Sequence, residues 1–493
     1  MARCVLLNIM SMMFRQFAFY ARRRLGLICG AMLLLPCFLS AAPLSPKDPK
    51  LAPIHPPRKP NIIFILADDL GYGDLGCYGQ KKIQTPNIDK LAAEGMRFTQ
   101  CYAGSTVCAP SRACLMTGLH TGHAHIRGNA AVPLRAQDVT VAEVLKSARY
   151  QTGAFGKWGL GLANTEGTPN KKGFDEWFGY LSQTHAHDYY PTQLYRNDMI
   201  FVMEQNMYGN KGQYAHDYFT MTATNFVRIS KYAPFFLYLA YTIPHAHNEL
   251  KDHGMEVPSD APYTKEEWPQ MEKNKAAMIT RLDADIGALM AELQHLKLDD
   301  DTLVFFSSDN GPHQEGGVKP AFFQSSGPLR GIKRDMYEGG IRVPMIARWP
   351  GKIKASTVSD QVWAFWDFLP TAAEIAGVKP PAGLDGISML PTLLGQKQTN
   401  QHEFLYWEFH EKGSKQAVRM GDWKAVRLEP GKLLELYNLK SDPGEAVNIA
   451  EKNPDVVAKI EKFLKTARTE HPRWPLKTPQ EAAKEKPEQG EKN

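Results

Sequence analysis

Short apolar runs alternate with helix-forming stretches along most of this 493-residue chain. Four runs have the length and composition of strands buried on both faces: Asn61–Ala67, Gln151–Gly156, Phe235–Tyr241 and Thr302–Phe306. Between them, apolar residues recur at helical spacing, most clearly over Val139–Ala148 and Ala276–Leu293. This alternation predicts an α/β fold with a large, mostly parallel sheet flanked by helices on both faces.

The pattern changes near residue 401, where short alternating strands replace the strand–helix units. Glu403–Glu408 and Lys424–Arg427 have strand patterns, and Pro454–Ala467 has a helical one. We therefore expect one large domain over residues 61–400 and a smaller α+β subdomain with an antiparallel sheet over residues 401–470. Residues 471–493 are charged and contain prolines, so we expect a disordered tail there.

The amino-terminal segment has the pattern of an export signal. An arginine-rich stretch precedes the apolar run Leu25–Leu39, which is too short and too interrupted by Pro36 to span a membrane stably. We expect residues 1–42 to be a cleaved signal peptide, residues 43–60 to be a proline-rich linker, and the protein to be periplasmic or extracellular. Loss of five arginines with the signal lowers the net charge from +6 to +1, so nothing indicates nucleic-acid binding.

Polar side chains follow two of the predicted strands at the point where each strand ends. Asp68 and Asp69 come directly after the first strand, and Asp309 and Asn310 follow the strand that begins at Thr302. Ligands gather beyond the carboxyl ends of strands in open α/β sheets. Three carboxylates and one amide form an oxygen-only set that suits a hard divalent cation such as Ca²⁺ or Mg²⁺.

A cysteine in an unusual context lies between these two strands. The segment Cys108-Ala-Pro-Ser-Arg112 opens a predicted helix, and backbone N–H groups in a first helical turn attract anions. Arg112 adds a planar cation suited to oxyanions. From these residues alone, Cys108 is either a buried structural cysteine or a reactive group in an anion-binding environment.

The segment matches Cys-x-Pro-x-Arg followed by Thr117-Gly118, and thereby resembles the signature of the formylglycine-dependent sulfatases, which have an alkaline-phosphatase-like fold. Further blocks resemble the family in the same order, so the resemblance runs from Asn61 to about Ala450: Gly156–Trp158, Thr242–His245, Leu329–Pro344 and Leu436–Glu445. It implies that a maturation enzyme oxidises Cys108 to formylglycine (3-oxoalanine). Three cysteines would then remain after the signal, which allow at most one disulfide: Cys77, Cys101 and Cys114.

The resemblance also implies roles for the other residues. One Ca²⁺, or alternatively Mg²⁺, is expected to bind Asp68, Asp69, Asp309, Asn310 and the modified Cys108. Lys157 and Lys333 match lysines that contact the sulfate, and His245 matches a histidine that contacts the sulfate and protonates the leaving oxygen. The residues expected to act in catalysis are Cys108, Arg112, Lys157, His245 and Lys333.

The reaction implied by the resemblance is hydrolysis of a sulfate ester on a sulfated carbohydrate or an aryl group. The hydrated aldehyde attacks sulfur, the alcohol leaves, and the second hydroxyl loses its proton so that sulfate is expelled and the aldehyde re-forms. Two alternatives stay open. One is a phosphomonoesterase or phosphodiesterase on the same fold, and the other is a non-catalytic glycan-binding relative.

The chain departs from the family pattern at one position. Many sulfatases continue Gly-Lys-Trp with a histidine that hydrogen-bonds the formylglycine hydrate, whereas this chain has Gly159. The candidates to replace that histidine, or to contact the substrate, are His123, His185, His187 and His313. Specificity is expected to come from loops over residues 161–196.

Two other patterns have plainer interpretations. Three His-x-His pairs begin at His123, His185 and His245, and on a strand each pair would share a face that could bind zinc, but no cysteine or carboxylate follows at matching spacing. Asp283 and Asp285 lie two residues apart in a predicted helix and therefore point to different faces. We interpret this carboxylate pair as structural.

Overall fold

The computed structural model describes residues 59–484, all within the unit Pro57–Asn493. The predicted signal peptide, nearly all of the linker and the last nine residues lie outside the described range. None of the helices within it has the length and hydropathy needed to cross a bilayer.

A large mixed sheet forms the centre of the described chain. Its strands lie in the order β10-β2-β9-β8-β1-β7-β3-β4-β5-β6, with β11 also paired to β2. The bounds are β1 Asn61–Ala67, β2 Met96–Tyr102, β3 Gln151–Lys157, β4 Glu176–Tyr180, β5 Gln193–Arg196, β6 Met199–Val202, β7 Phe235–Ala240, β8 Thr302–Ser308, β9 Arg342–Arg348, β10 Thr357–Ser359 and β11 Trp363–Ala364. The five central strands β8-β1-β7-β3-β4 are parallel, and antiparallel pairs occur towards both edges. The predicted mostly parallel sheet is confirmed.

Helices accompany the sheet through the described chain. Their bounds are α1 Pro86–Ala93, α2 Cys108–Thr117, α3 Val141–Ser147, α4 Ala215–Ser230, α5 Gln270–His295, α6 Pro320–Phe323, α7 Glu338–Ile341, α8 Phe368–Ile375, α9 Leu390–Leu393, α10 Pro454–Leu464 and α11 Pro479–Lys484. Short 3-10 segments lie at Gly76–Tyr78, His185–His187, Glu204–Gly209, Asn248–His253, Asp299–Asp301, Phe365–Asp367 and Ala450–Lys452.

Both faces of the sheet are covered, which explains the unbroken apolar run in β1. Successive side chains on a strand point to opposite faces. Phe64 packs with Leu145 of α3 and Leu369 of α8, whereas Ile65 packs in a second core with Leu282 of α5. The predicted helices on both faces are therefore present.

The second sheet has the antiparallel order β12-β13-β14-β15, with bounds β12 Leu405–Phe409, β13 Lys415–Met420, β14 Trp423–Arg427 and β15 Glu435–Asn438. One face places Trp407 in a core with Tyr102 and Trp366 of the main sheet region. The other face packs on α10 through Ile460. The predicted carboxy-terminal antiparallel sheet is confirmed, while the exact domain boundaries stay predictions.

The expectation of disorder from residue 471 is wrong for the first part of that segment. Trp474 is buried in the main core, and its indole N–H donates to the carbonyl of His125 at 2.9 Å. The backbone N–H of Ser414 also donates to the carbonyl of Lys477 at 2.7 Å. A charged and proline-containing composition suggested disorder, but one buried aromatic side chain is enough to anchor the segment.

Candidate active site at the carboxyl edge of the main sheet

Four of the parallel strands deliver polar residues to the same edge of the sheet. Register pairs Ala67 with Ser308, and Ala240 with both Leu66 and Gly156. The residues that come next in each strand or loop therefore meet: Asp68 and Asp69 after β1, Asp309 and Asn310 after β8, Lys157 at the end of β3, and the Thr242–His245 turn after β7. Parallel alignment is what converts positions distant in sequence into one site.

Cys108 is the first residue of α2 and is fully buried. Its Sγ lies 3.3 Å from Asp68 Oδ1 and 4.0 Å from Asp69 Oδ1. Burial, followed by the negative charge of Asp68, raises the pKa of the thiol well above its ordinary value. An unmodified Cys108 is therefore a neutral thiol and a poor nucleophile.

The acidic residues form one buried, interlocked group with Asn310. The backbone N–H of Asp69 donates to Asp309 Oδ1 at 3.0 Å, and Asn310 Nδ2 donates to Asp69 Oδ1 at 2.6 Å. Asp69 holds this turn with a left-handed backbone, φ 64°, a conformation that aspartate tolerates better than most residues. Burial and the neighbouring Asp68 charge raise the pKa of Asp309 to about 7.

Lys157 and Lys333 neutralise the two carboxylates that follow β1. Lys157 Nζ donates to Asp68 Oδ2 at 2.7 Å, and Lys333 Nζ donates to Asp69 Oδ2 at 2.7 Å. Burial opposes ionisation of both aspartates, but these lysines, together with His245, lower the pKa values of Asp68 and Asp69 below their usual range. Two ammonium groups are thus held by the aspartates that also contact Cys108.

Arg112 is held by an aspartate and a backbone carbonyl in the same buried cluster. Its Nε and Nη2 donate to Asp309 Oδ2 at 3.0 and 2.8 Å, and its Nη1 donates to the carbonyl of Lys157 at 3.0 Å. The guanidinium is fully buried and committed to these partners. It also lies 3.4 Å from Asp68 Oδ2, so it links two of the aspartates with the end of β3, while its predicted direct role in catalysis stays a prediction.

His245 faces the same centre. Its Nδ1–H donates to the carbonyl of Ala246 at 2.6 Å, and its Nε2 accepts from Lys333 Nζ at 3.2 Å and lies 3.4 Å from Asp69 Oδ2. Burial and the Lys333 charge lower the pKa of His245 well below its ordinary value. The ring is consequently neutral here, with Lys333 as the nearest group that carries a proton.

The donor set fits a hard divalent cation. Asn310 Oδ1 is buried without a hydrogen-bond donor among the described residues, which is costly for an acceptor unless something else binds it. Asp68, Asp69, Cys108 and His245 each offer a ligand atom, and these atoms lie within 4.8 Å of one another. Carboxylate and amide oxygens at this density suit Ca²⁺ or Mg²⁺ better than softer metals.

Comparison with known proteins agrees with this geometry. The sulfatase family profile matches residues 60–378, and a profile described as the N-sulphoglucosamine sulphohydrolase C-terminal region matches residues 332–470. The chain belongs to the sulfatase family. It is therefore a sulfuric ester hydrolase on an alkaline-phosphatase-like fold.

Two curated relatives and one solved structure show how far the similarity extends. A Bacteroides thetaiotaomicron protein named N-acetylgalactosamine-6-O-sulfatase is 30% identical and covers 84% of this sulfatase and 94% of its own length. Human arylsulfatase A is 33% identical, with 82% and 87% covered. The structure of Ps i-CgsB in complex with k-i-k-neocarrahexaose is 31% identical, has a TM-score of 0.73, and covers 83% of this chain and 93% of that one.

The predicted substrate-binding histidines of the sulfatase lie in three different environments. The ring of His187 stacks on that of His245, with centroids 4.8 Å apart and planes 13° apart. His313 lies behind His245, and both of its nitrogens are occupied, since Nε2 donates to the carbonyl of Pro244 and Nδ1 accepts from the backbone of Glu315. His185 packs edge-on against Tyr180, and no contact places it at the site.

Gly159 leaves space that another side chain fills. A Cβ at this position would lie 1.8 Å from Nε2 of Gln183, and Gly159 has a φ of 73° that favours glycine. Gln183 follows β4 in the loop that was expected to determine specificity. The amide end of Gln183 therefore occupies the space beside the position where many sulfatases carry a histidine.

Sequence reasoning missed two acidic residues beside the site. Glu315 Oε2 lies 3.4 Å from Lys333 Nζ, and Glu249 contacts His187 Nδ1 at 3.2 Å. Neither belongs to a recognisable motif. The one sequence feature that could have indicated Glu315 is its place five residues after Asn310, in the segment that follows the carboxyl end of β8.

The remaining predictions concern residues away from the centre. Asp283 accepts from the backbone N–H groups of Asn87 and Ile88 at the start of α1, which confirms its structural interpretation, and Asp285 binds His216. His123, a candidate to replace the missing histidine, forms a hydrogen bond with Asp385. His120, His123 and Asp385 make a second cluster of side chains that could hold a metal ion. Lastly, Cys77, Cys101, Cys108 and Cys114 are all free.

Proposed function

We propose that this sulfatase removes sulfate from a glycan, using a formylglycine derived from Cys108 and one bound calcium ion, after export from the cytoplasm. The observation that carries the proposal is the buried cluster of Cys108, the oxygen ligands and Lys157 and Lys333 at one edge of the sheet. A sulfate ester placed beside Cys108 would meet both ammonium groups.

The substrate class rests on the relatives. Names and descriptions among them refer to N-acetylgalactosamine 6-sulfate, to k-i-k-neocarrahexaose, and to D-glucosamine-2-N,6-O-disulfate. All three are carbohydrates. A sulfated sugar is therefore the substrate we assign to this chain, with aryl sulfates as small surrogates that lack the sugar.

The chain's own residues would bind the ester and manage its charge. Lys157 and Lys333 neutralise the sulfate and the negative charge that develops as the ester bond breaks. Lys333 keeps its own proton, and His245 Nε2, 3.2 Å from Lys333 Nζ, would be the atom that gives a proton to the departing oxygen once the bound sulfate engages the ammonium group. Arg112 keeps Asp309 in place throughout.

Two groups supply chemistry that the unmodified side chains lack. Asp68, Asp69, Asp309 and Asn310 would hold the calcium ion, which acts as a Lewis acid when bound. A hydrated formylglycine supplies a hydroxyl nucleophile and, through its second hydroxyl, a route for sulfate release. The neutral, buried thiol of Cys108 is consistent with a need for such conversion.

Export is proposed from the sequence pattern of residues 1–42, which precede the described range. An exported sulfatase acting on large glycans outside the cytoplasm would need no transport of its substrate. Fractionation of the native host, with detection of the protein and determination of its first residue, tests this part separately.

The central experiment compares matured protein with two alanine variants. The protein is produced with and without a formylglycine-generating enzyme, the peptide containing position 108 is analysed by mass spectrometry, and hydrolysis of 4-nitrophenyl sulfate and of sulfated monosaccharides is measured. We expect activity only in matured protein and a loss of at least about 1000-fold in Cys108→Ala. Cys114→Ala, a buried cysteine of the same helix, should retain activity.

The bound metal and the preferred class of ester substrate are determined with the same protein preparation. Bound calcium is quantified by elemental analysis before and after Asn310→Ala, which should lower the metal content while leaving the fold intact by circular dichroism. Activity from unmodified Cys108, or faster hydrolysis of the matching phosphate esters than of sulfate esters, would contradict the proposal.

A further inference from the structure

The histidines around the site differ in which ring nitrogens are already committed. His245 and His313 have partners on both nitrogens. His187 uses only Nδ1, which donates to the carboxylate of Glu249 at 3.2 and 3.3 Å. Among residues 59–484, no hydrogen bond reaches His187 Nε2, so this nitrogen is available to a ligand.

His187 is the more exposed ring of a stacked pair with His245. Its ring covers one face of His245, and its side chain is 15% exposed compared with 3% for His245. Burial, then the positive charge of Lys157 and also that of Lys333, lowers the pKa of His187 despite Glu249. The ring is therefore neutral and lies within the field of both proposed sulfate-binding lysines.

The tautomer follows from the Glu249 contact. A carboxylate can only accept, so the proton of the neutral ring is on Nδ1 and Nε2 is an acceptor. An acceptor cannot bind a sulfate oxygen, which has no proton to donate, and it finds no donor on an unsubstituted aryl ring. A hydroxyl group of a sugar is the complementary partner.

We propose that His187, oriented by Glu249, accepts a hydrogen bond from a hydroxyl of the sugar ring that carries the sulfate ester. This inference rests on the glycan function proposed above and adds a requirement to it. The pair selects sugars with a free hydroxyl near the ester. His187 is then a specificity-determining residue, and Glu249 is a positioning residue that acts through it.

The test combines enzyme variants with substrate analogues. Values of kcat/KM are measured for 4-nitrophenyl sulfate, for a sulfated monosaccharide that the wild type cleaves, and for analogues of that sugar lacking one ring hydroxyl each. His187→Ala should lower kcat/KM for the sugar about 10-fold, in line with loss of one hydrogen bond, and should change the aryl sulfate less than twofold. Thr184→Ala, an exposed neighbour in the same turn, is the matched control and should match the wild type on both substrates.

The decisive measurement is whether removing a sugar hydroxyl and removing the His187 side chain have non-additive effects on kcat/KM. One deoxy analogue should be about 10-fold poorer than its parent with the wild type but equal to its parent with His187→Ala. Glu249→Gln, which can donate to Nδ1 and move the ring proton to Nε2, should show the same loss of preference. His187→Gln, which keeps an acceptor, should restore part of it.

Failure of the inference can be distinguished from failure of the proposed function. Equal losses on sugar and aryl substrates, or the same deoxy penalty in wild type and His187→Ala, would overturn the role of His187 while leaving glycan sulfatase activity established. A wild type that cleaves 4-nitrophenyl sulfate but no sulfated sugar would overturn the glycan function, and this inference with it.

Discussion

Replacing Arg112 with lysine tests whether this residue builds the site or touches the substrate. Arg112 makes three hydrogen bonds in a fully buried position, two to Asp309 Oδ2 and one to the carbonyl of Lys157. A lysine has a single ammonium group and cannot reproduce the planar fork. At least one buried acceptor is then left without its donor.

The magnitude follows from those contacts. A hydrogen bond to a charged group contributes about 1.5–3 kcal/mol, and a buried acceptor left without a partner costs about 1–3 kcal/mol. Arg112→Lys should therefore lower the free energy of unfolding by about 3–5 kcal/mol. Arg135→Lys is the control, because that side chain is 44% exposed beside Asp138 and an exposed ion pair contributes about 0–1 kcal/mol.

The assay is urea unfolding followed by tryptophan fluorescence, with linear extrapolation to water. The same preparations are assayed for kcat and KM with 4-nitrophenyl sulfate and for calcium content. A loss of stability accompanied by loss of bound metal supports a positioning role. An Arg112→Lys variant within about 1 kcal/mol of the wild type, with a raised KM alone, would refute this reasoning and indicate direct contact with the substrate.

Two further outcomes are expected. Gly159→His introduces a Cβ 1.8 Å from Gln183 Nε2 at a φ of 73°, so it should lower the midpoint temperature of thermal unfolding. Adding Gln183→Gly should recover part of that decrease. An unchanged midpoint temperature in the single variant would contradict the predicted clash. Burial opposes ionisation of Glu408, but His410 and Arg127 lower its pKa from 4.5 to about 2. Glu408→Gln should therefore lower the free energy of unfolding by about 3 kcal/mol near neutral pH. That contribution is complete above the unfolded pKa and is lost as the pH falls towards 2, so the difference from wild type in urea unfolding should be smaller at pH 4 than at pH 6; a difference that grows over this acidification would contradict the assignment.

The central strands and the polar residues that follow them could be predicted because both depend on local patterns. The run Asn61–Ala67 is apolar throughout and became a strand with those bounds, buried on both faces. Asp68 and Asp69 follow it directly, and parallel strands end at a common edge, so their meeting with Asp309 and Asn310 could be expected. The Cys108 motif likewise opened a helix as expected.

Other assignments could not be made in this way because they depend on partners far away in sequence. Glu338 lies in the block Leu329–Pro344 that resembles the family, and its carboxylate pairs with buried Lys424 in the second sheet at 3.0 Å. The anchoring of Trp474 in the main core depends in the same way on His125, which lies far along the chain. In both pairs the two residues are too far apart in sequence for a local pattern to indicate their contact.

The amino-acid sequence by itself thus determined the fold class and which polar residues follow the central strands, since each is written in consecutive residues whose backbone geometry is local. Only the tertiary structure decided the partners of the charged side chains and of the histidines. Folding buried the Arg112 guanidinium against Asp309, placed Gln183 beside Gly159, and left one ring nitrogen of His187 without a hydrogen bond among residues 59–484. Those outcomes depend on which donors and acceptors are brought within hydrogen-bond distance, and that is set by packing between segments rather than by any one segment.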